Sequence, residues 1–172
     1  MVADGRTMIS RISFLMLGAA LLAISPVEYG FAQSVGSSDT DLIERGRYLV
    51  KIAGCNDCHT PGYVQTGGMV PEELWLTGDR LGWHGAWGTT YPANLRLYMQ
   101  GVSVEEWIQN ARTRQLRPPM PWFALRDMTE TDLRAIYSLV RYLGPAGEPV
   151  PAYVPPEQEP VGPLVRFPVG SQ

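Results

Sequence analysis

Cys55, Cys58 and His59 are the residues in this chain whose types and spacing carry chemistry, in the run Cys55-Asn56-Asp57-Cys58-His59. Two thiols two residues apart on a helical turn can reach the two vinyl groups of one haem. The next residue, His59, is then held beneath the iron as its proximal ligand. The rival readings are short of parts. A zinc site needs four ligands, and the chain has only 2 cysteines and one further histidine, His84. A thioredoxin-like pair belongs in a βαβ unit, and no clear strand pattern surrounds this one. A local disulfide would close a trivial loop and stabilise little. The expected cofactor is one covalently bound haem c with its iron.

The opposite face of the iron needs a ligand or an open position. The sequence offers Met69, His84, Met99, Met120 and Met128. Met120 suits best, because Pro119 and Pro121 stiffen the backbone around a thioether that must approach from a fixed direction. His84 is its competitor, in an aromatic loop with Trp83 and Trp87. Met128 sits beside the start of a helix and is expected to cover it. A carbonyl near Pro92 is expected to accept from the free ring nitrogen of His59. Trp87, Tyr91 and Arg80, with Trp83, are candidate partners for the haem propionates, which need donors when buried. The tryptophans serve equally well as packing walls. Arg112, Arg114, Arg117 and Arg126 surround Met120 and are either a positive rim for an acidic partner or a solvated face.

These residues need a frame. Asp39 or Thr40 can cap a helix over Asp41 to Ile52, with Leu42, Leu49 and Ile52 at helical spacing and Tyr48 alongside. Gly46 falls in its middle, at a cost of about 1 kcal/mol relative to alanine, which predicts a close helix crossing there. The haem motif follows at once. Residues 60–100 are rich in Gly, Pro and Trp and are expected to wrap the cofactor, with one or two helical turns over Pro71 to Leu76. Ser103-Val-Glu-Glu106 is a capping box, opening a helix to about Arg112 that buries Val104, Trp107, Ile108 and Ala111. Arg117 to Pro121 is expected to be extended. Thr129-Glu-Thr-Asp132 opens the last helix, with Leu133, Ile136, Tyr137, Val140 and Leu143 as its stripe and Gly144 as its end.

Composition sets outer bounds. The chain has 172 residues and a net charge of −3, so no bulk positive charge is available to hold nucleic acid. Residues 1–32 read as a signal peptide: Arg6 and Arg11, an apolar run from Ile12 to Ile24 too short to span a bilayer comfortably, then Gly30 and Ala32 before a cut. The alternative is an uncleaved membrane anchor. The expected organisation is signal peptide 1–32, flexible lead-in 33–38, a haem domain over 39–144, and a Pro-rich extended tail over 145–172. Export is expected to place the chain in the periplasm.

The order of these features resembles class I c-type cytochromes over most of Asp39 to Gly144. The glycine and aromatic of the first helix (Gly46, Tyr48), the Cys55-to-His59 motif, the Met-Pro lid and the closing helix all follow that pattern. The likeness is nearest to cytochrome domains of bacterial periplasmic dehydrogenase subunits, through Tyr91-Pro-Ala-Asn-Leu95, Pro119-Met-Pro-Trp122 and Met128-Thr-Glu-Thr-Asp-Leu-Arg-Ala-Ile-Tyr137. Arg96-Leu97 stand where that family usually has Thr-Pro, and this chain has one haem motif where such subunits usually have several.

The resemblance implies an all-α cytochrome c fold of three to five helices around one haem. It also implies that the first and last helices cross at Gly46, against Tyr142 or Tyr137, and that His59 and Met120 are axial ligands. The activity implied is electron transfer rather than catalysis. The partners would be a periplasmic dehydrogenase and a membrane oxidase or reductase complex. A tightly bound subunit of such a dehydrogenase is the alternative, and an open-iron enzyme or gas sensor is a third reading.

Overall fold

The computed structural model describes residues 38–168. The expected signal peptide over 1–32 and all of the expected lead-in except Ser38 lie outside them. Two long helices form the frame, α1 (Asp39–Ile52) and α6 (Glu130–Leu143). Ser38 caps α1, one residue earlier than the sequence suggests, and forms a reciprocal box with Asp41. Thr129 caps α6 and Gly144 ends it with φ 71°.

The two helices pack on each other at Gly46. A Cβ there would stand 2.2 Å from the Ala135 carbonyl oxygen and 2.8 Å from the Leu139 Cβ. The crossing is therefore closed by Ala135 and Leu139, not by Tyr142 or Tyr137. Tyr142 is exposed, and the Tyr137 hydroxyl instead donates to the Val102 carbonyl at 3.0 Å. The buried stripe of α6 is Leu133, Ala135, Ile136, Leu139 and Val140, wider than periodicity alone suggests. On α1 the buried residues are Gly46, Leu49 and Val50, while Ile52 and Tyr48 face outward. α4 (Val104–Thr113) lies across α6 with Trp107 and Ala111 buried, and the Trp107 Nε1 donates to the Leu133 carbonyl at 2.9 Å. Three short helices complete the set: α2 (Cys55–His59), α3 (Leu95–Tyr98) and α5 (Trp122–Asp127), with a 3₁₀ turn at Glu72–Leu74.

The fold also contains a small sheet that the sequence pattern does not announce. β1 (Gly82–Gly85) and β2 (Gly88–Thr90) form a hairpin, and β3 (Leu164–Arg166) pairs with β1 in parallel. Strands this short carry no usable alternation, and β3 finds its partner some eighty residues upstream in the chain. The tail is thus part of the fold. It adds a bridge between Thr89 and Val154, and Phe167 packs between Trp83 and Trp87 at ring-centroid distances of 5.9 and 5.2 Å.

Among the described residues no helix is long and apolar enough to cross a membrane.

Candidate functional site

α1 ends at Ile52, and Gly54 at φ 71° turns the chain into α2. Only glycine takes that left-handed conformation without strain. On the single turn of α2, Cys55, Cys58 and His59 stand at i, i+3 and i+4, which is one face of a helix.

The His59 Nδ1 lies 2.7 Å from the Ala93 carbonyl oxygen. A carbonyl can only accept, so Nδ1 carries the proton and the lone pair is on Nε2. No side chain or backbone group among the described residues takes up Nε2. Burial lowers the His59 pKa, and the Ala93 carbonyl partly opposes that. The ring is therefore held neutral, in one tautomer, as a ligand must be. The acceptor is one residue beyond Pro92, close to where the sequence puts it.

The Ala93 carbonyl is fixed from several directions. The Gly78 N–H donates to the His59 carbonyl at 2.8 Å, and the Asp79 N–H to the Pro92 carbonyl at 3.1 Å. Asn94 caps α3 through the Leu97 N–H and donates its own amide to the Ala146 carbonyl at 2.8 Å. Thr60, just past α2, donates to the Asn56 Oδ1 at 2.9 Å and accepts from the Leu76 N–H at 2.8 Å. Leu76 is fully buried at φ 61°, a conformation unfavourable for a residue with a Cβ. Its carbonyl accepts from both the Leu95 and Arg96 N–H groups, so the surroundings over-determine the strain.

The two thiols are unpaired. Burial pushes Cys55 up to about 11, and it raises Cys58 as well. Cysteines that work as nucleophiles or redox pairs have lowered values. Neither of these two has a lowered value.

Against known proteins, no family model matches the chain and no solved structure matches it. Among curated proteins it is similar to one of the subunits of nicotinate dehydrogenase from Pseudomonas putida, at 26% identity over 127 residues that cover 69% of this chain. The chain spans 10% of that protein's length. A dehydrogenase subunit is thus the class of protein to which it bears similarity.

The remaining candidates fall into separate settings. Met120 is half-buried against the main core. Met99 is fully buried within that core, Met69 is 81% exposed, and Met128 half-covers the start of α6. His84 is built into β1, its Nδ1 2.8 Å from the Thr89 Oγ1 and its carbonyl accepting from the Phe167 N–H. Tyr91 lies against Gly82. Arg80 is exposed and makes no ion pair among the described residues. Trp87 is half-buried, and its Nε1 is fully buried with no acceptor. An orphan indole donor of this kind calls for a partner.

Of the four arginines near Met120, only Arg126 meets a carboxylate among the described residues, Asp127 at 2.7 Å. Arg117 lies over the Tyr153 ring, 3.9 Å from its centroid.

No three His, Cys, Asp or Glu side chains among the described residues gather to hold a bare metal ion. A haem brings four of its iron's ligands itself and asks the protein for two thiols, one neutral imidazole and donors for its propionates. Cys55, Cys58 and His59 with Nε2 free fit the thiol and imidazole requirements, and Trp87 Nε1 is a donor without an acceptor, placed against Phe167.

Sequence patterns point to all of these except the supports. Thr60 and Arg96 carry no motif. Asn94 alone has a signal, as a side-chain cap ahead of Leu95. Arg96 is 3% exposed, and its guanidinium donates to the carbonyls of Glu73, Trp75, Leu143 and Gly144. A cation at the carbonyl end of α6 is favourable there.

Proposed function

We propose that this chain is a periplasmic electron-transfer subunit that serves a dehydrogenase, carrying one haem c bonded through Cys55 and Cys58 and ligated by His59 and Met120. The observation that carries the reading is the His59 tautomer. Its Nδ1 proton is pinned on the Ala93 carbonyl, which leaves Nε2 open on the same helical face as the two unpaired thiols. A haem bound there supplies a one-electron couple. The chain's own part is to hold the imidazole neutral and oriented, to present Met120 from a proline-stiffened segment, and to satisfy the propionates, with Trp87 as one donor. A thioether ligand favours the reduced ion and raises the potential.

Similarity to a dehydrogenase subunit supports a bound subunit over a free carrier. Two measurements test the proposal. The exported protein should keep its haem after acid–acetone extraction, and Cys55→Ala or Cys58→Ala should each leave one thioether and a shifted pyridine haemochrome spectrum. A sulfur-to-iron charge-transfer band in the ferric protein should vanish in Met120→Ala. A high-spin ferric spectrum in the wild type would remove Met120 as ligand. Gentle extraction should recover the chain with a dehydrogenase. A lone monomer at every salt concentration would return it to the class of free carriers.

A further inference from the structure

Residues 115–119 enter the Met120 segment with almost no means of holding themselves. Arg114 closes α4, and α5 begins at Trp122. Pro118, Pro119 and Pro121 lack N–H groups. Among the described residues, one hydrogen bond reaches 115–119: the Thr90 hydroxyl donates to the Pro118 carbonyl at 2.7 Å. A second attachment is Arg117 stacked over Tyr153 of the tail.

Both anchors belong to one unit. Thr90 is the last residue of β2, and the neighbouring Thr89 forms the bridge with Val154. The Tyr153 hydroxyl donates to the Trp87 carbonyl at 2.8 Å. Three residues past Thr90, the Ala93 carbonyl holds His59. One short stretch, 90–93, thus braces the segments of both candidate axial residues, and the tail locks that stretch in place.

We propose that Thr90 and Tyr153 are positioning residues for Met120, so that the C-terminal tail sets how firmly the methionine stays on the iron. The inference rests on the proposed Met120 ligation. Thr90 acts through the Pro118 carbonyl, two residues before Met120, and Tyr153 acts through Arg117, three before it. Neither touches the iron. A partner that drew the tail off β2 would loosen the ligand and open the iron to small molecules.

Imidazole binding to the ferric holoprotein measures this, because imidazole must displace the sixth ligand. One neutral hydrogen bond or one cation–aromatic contact corresponds to about a fivefold change. Apparent imidazole affinity should rise about fivefold in Thr90→Val and in Tyr153→Ala. It should return to the wild-type value in Thr90→Ser, which keeps the hydroxyl. Thr66→Val is the control: it removes an exposed threonine hydroxyl bond of the same kind, to the Gly62 carbonyl at 2.9 Å, outside the core against which Met120 packs. Its affinity should not move.

Three results would overturn the inference. If Thr90→Val and Tyr153→Ala bind imidazole as the wild type does while its charge-transfer band is intact, the brace is not acting and Met120 ligation stands. If Thr66→Val gains as much as they do, general softening is the cause. If the wild type shows no charge-transfer band, Met120 ligation fails and the inference falls with it.

Discussion

α1 and α6 meet chiefly through apolar side chains and one bare glycine, with one ion pair, Arg45 to Asp132, at their edge, whereas residues 76–95 and the tail meet through backbone hydrogen bonds and a few polar side chains. The first region is held by area removed from water and by close packing, which no single atom decides. The second is held by discrete bonds, each made once: the Leu76 N–H to Thr60, the Ala93 carbonyl to His59, the Pro118 carbonyl to Thr90. The frame supplies stability, and Cys55 and Met120 pack against its core without a hydrogen bond from it. The hydrogen-bonded layer orients the chemistry but contributes little burial. Damage to the frame should therefore unfold the whole chain, and damage to the layer should first loosen the site.

The largest effect is expected at Gly46. In Gly46→Val the new Cβ must sit where the Ala135 carbonyl oxygen stands, at 2.2 Å. A helix backbone cannot give way as a side-chain tip can, so α1 and α6 separate. The loss should be about 3 kcal/mol or more. Gly46→Ala isolates the cause: alanine gains about 1 kcal/mol of helix propensity, yet the net change should still be destabilising. Denaturant unfolding checks both. A stabilised Gly46→Ala would show that the crossing is looser than the distances imply.

Arg96 tests the joint between the two regions. Its buried guanidinium draws together the end of α6 and the 73–75 turn through four carbonyls, and it makes no ion pair among the described residues. Arg96→Met fills similar volume and strands those acceptors. A cost of about 2 kcal/mol is expected. Hydrogen exchange should speed up at the Gly144 amide before it does at Leu133. Equal acceleration at both would mean that Arg96 supports the frame as a whole.

The difference between the two regions also governs what can be read from the sequence. Helices α1, α4 and α6 are legible to within two residues at their ends, because Ser103, Thr129 and Gly144 carry capping chemistry and apolar residues recur at helical spacing. The α2 turn is legible from its motif. Faces are less so. Periodicity points Ile52 inward, yet it is 62% exposed while Val50 is buried, since a mid-helix glycine lets the partner sit closer and rotates the buried arc toward it. The sheet is not legible: β1, β2 and β3 are 4, 3 and 3 residues long, and their pairing is set by where the tail comes back. Arg96 stands out only as a departure from a familiar pattern. Its role depends on carbonyls distant in sequence that no local pattern could foretell.

Thr60 lies wholly within the hydrogen-bonded layer. Thr60→Val keeps the shape and removes the hydroxyl, leaving the Asn56 Oδ1 and the Leu76 N–H without that partner in a dry setting. The cost should be about 1.5 kcal/mol. Leu76 should show it most, since its left-handed backbone depends on being held. Exchange at the Leu76 and Leu95 amides should rise while α1 and α6 stay protected. If the helices lose protection in step, the frame and the layer are one cooperative unit and do not differ in how they are held.

The smallest effect is expected at the capping box of α4. The Ser103 N–H and hydroxyl both donate to the Glu106 carboxylate, at 2.7 and 2.9 Å, and hold its pKa below the usual carboxylate range. A lowered folded value means that the stabilisation is complete above the ordinary value of about 4.3 and is lost as pH falls through the lower one. Glu106 is fully exposed, and α4 stays anchored by Trp107 and Ala111 whatever its cap does. Acid should fray only the first turn. At neutral pH, Glu106→Gln should exchange its Trp107 amide faster than the wild type does, and the two should converge as the carboxylate protonates. Convergence without change in α6 would show the frame to be redundantly held, with no one of its polar contacts essential, unlike the single bonds that aim His59.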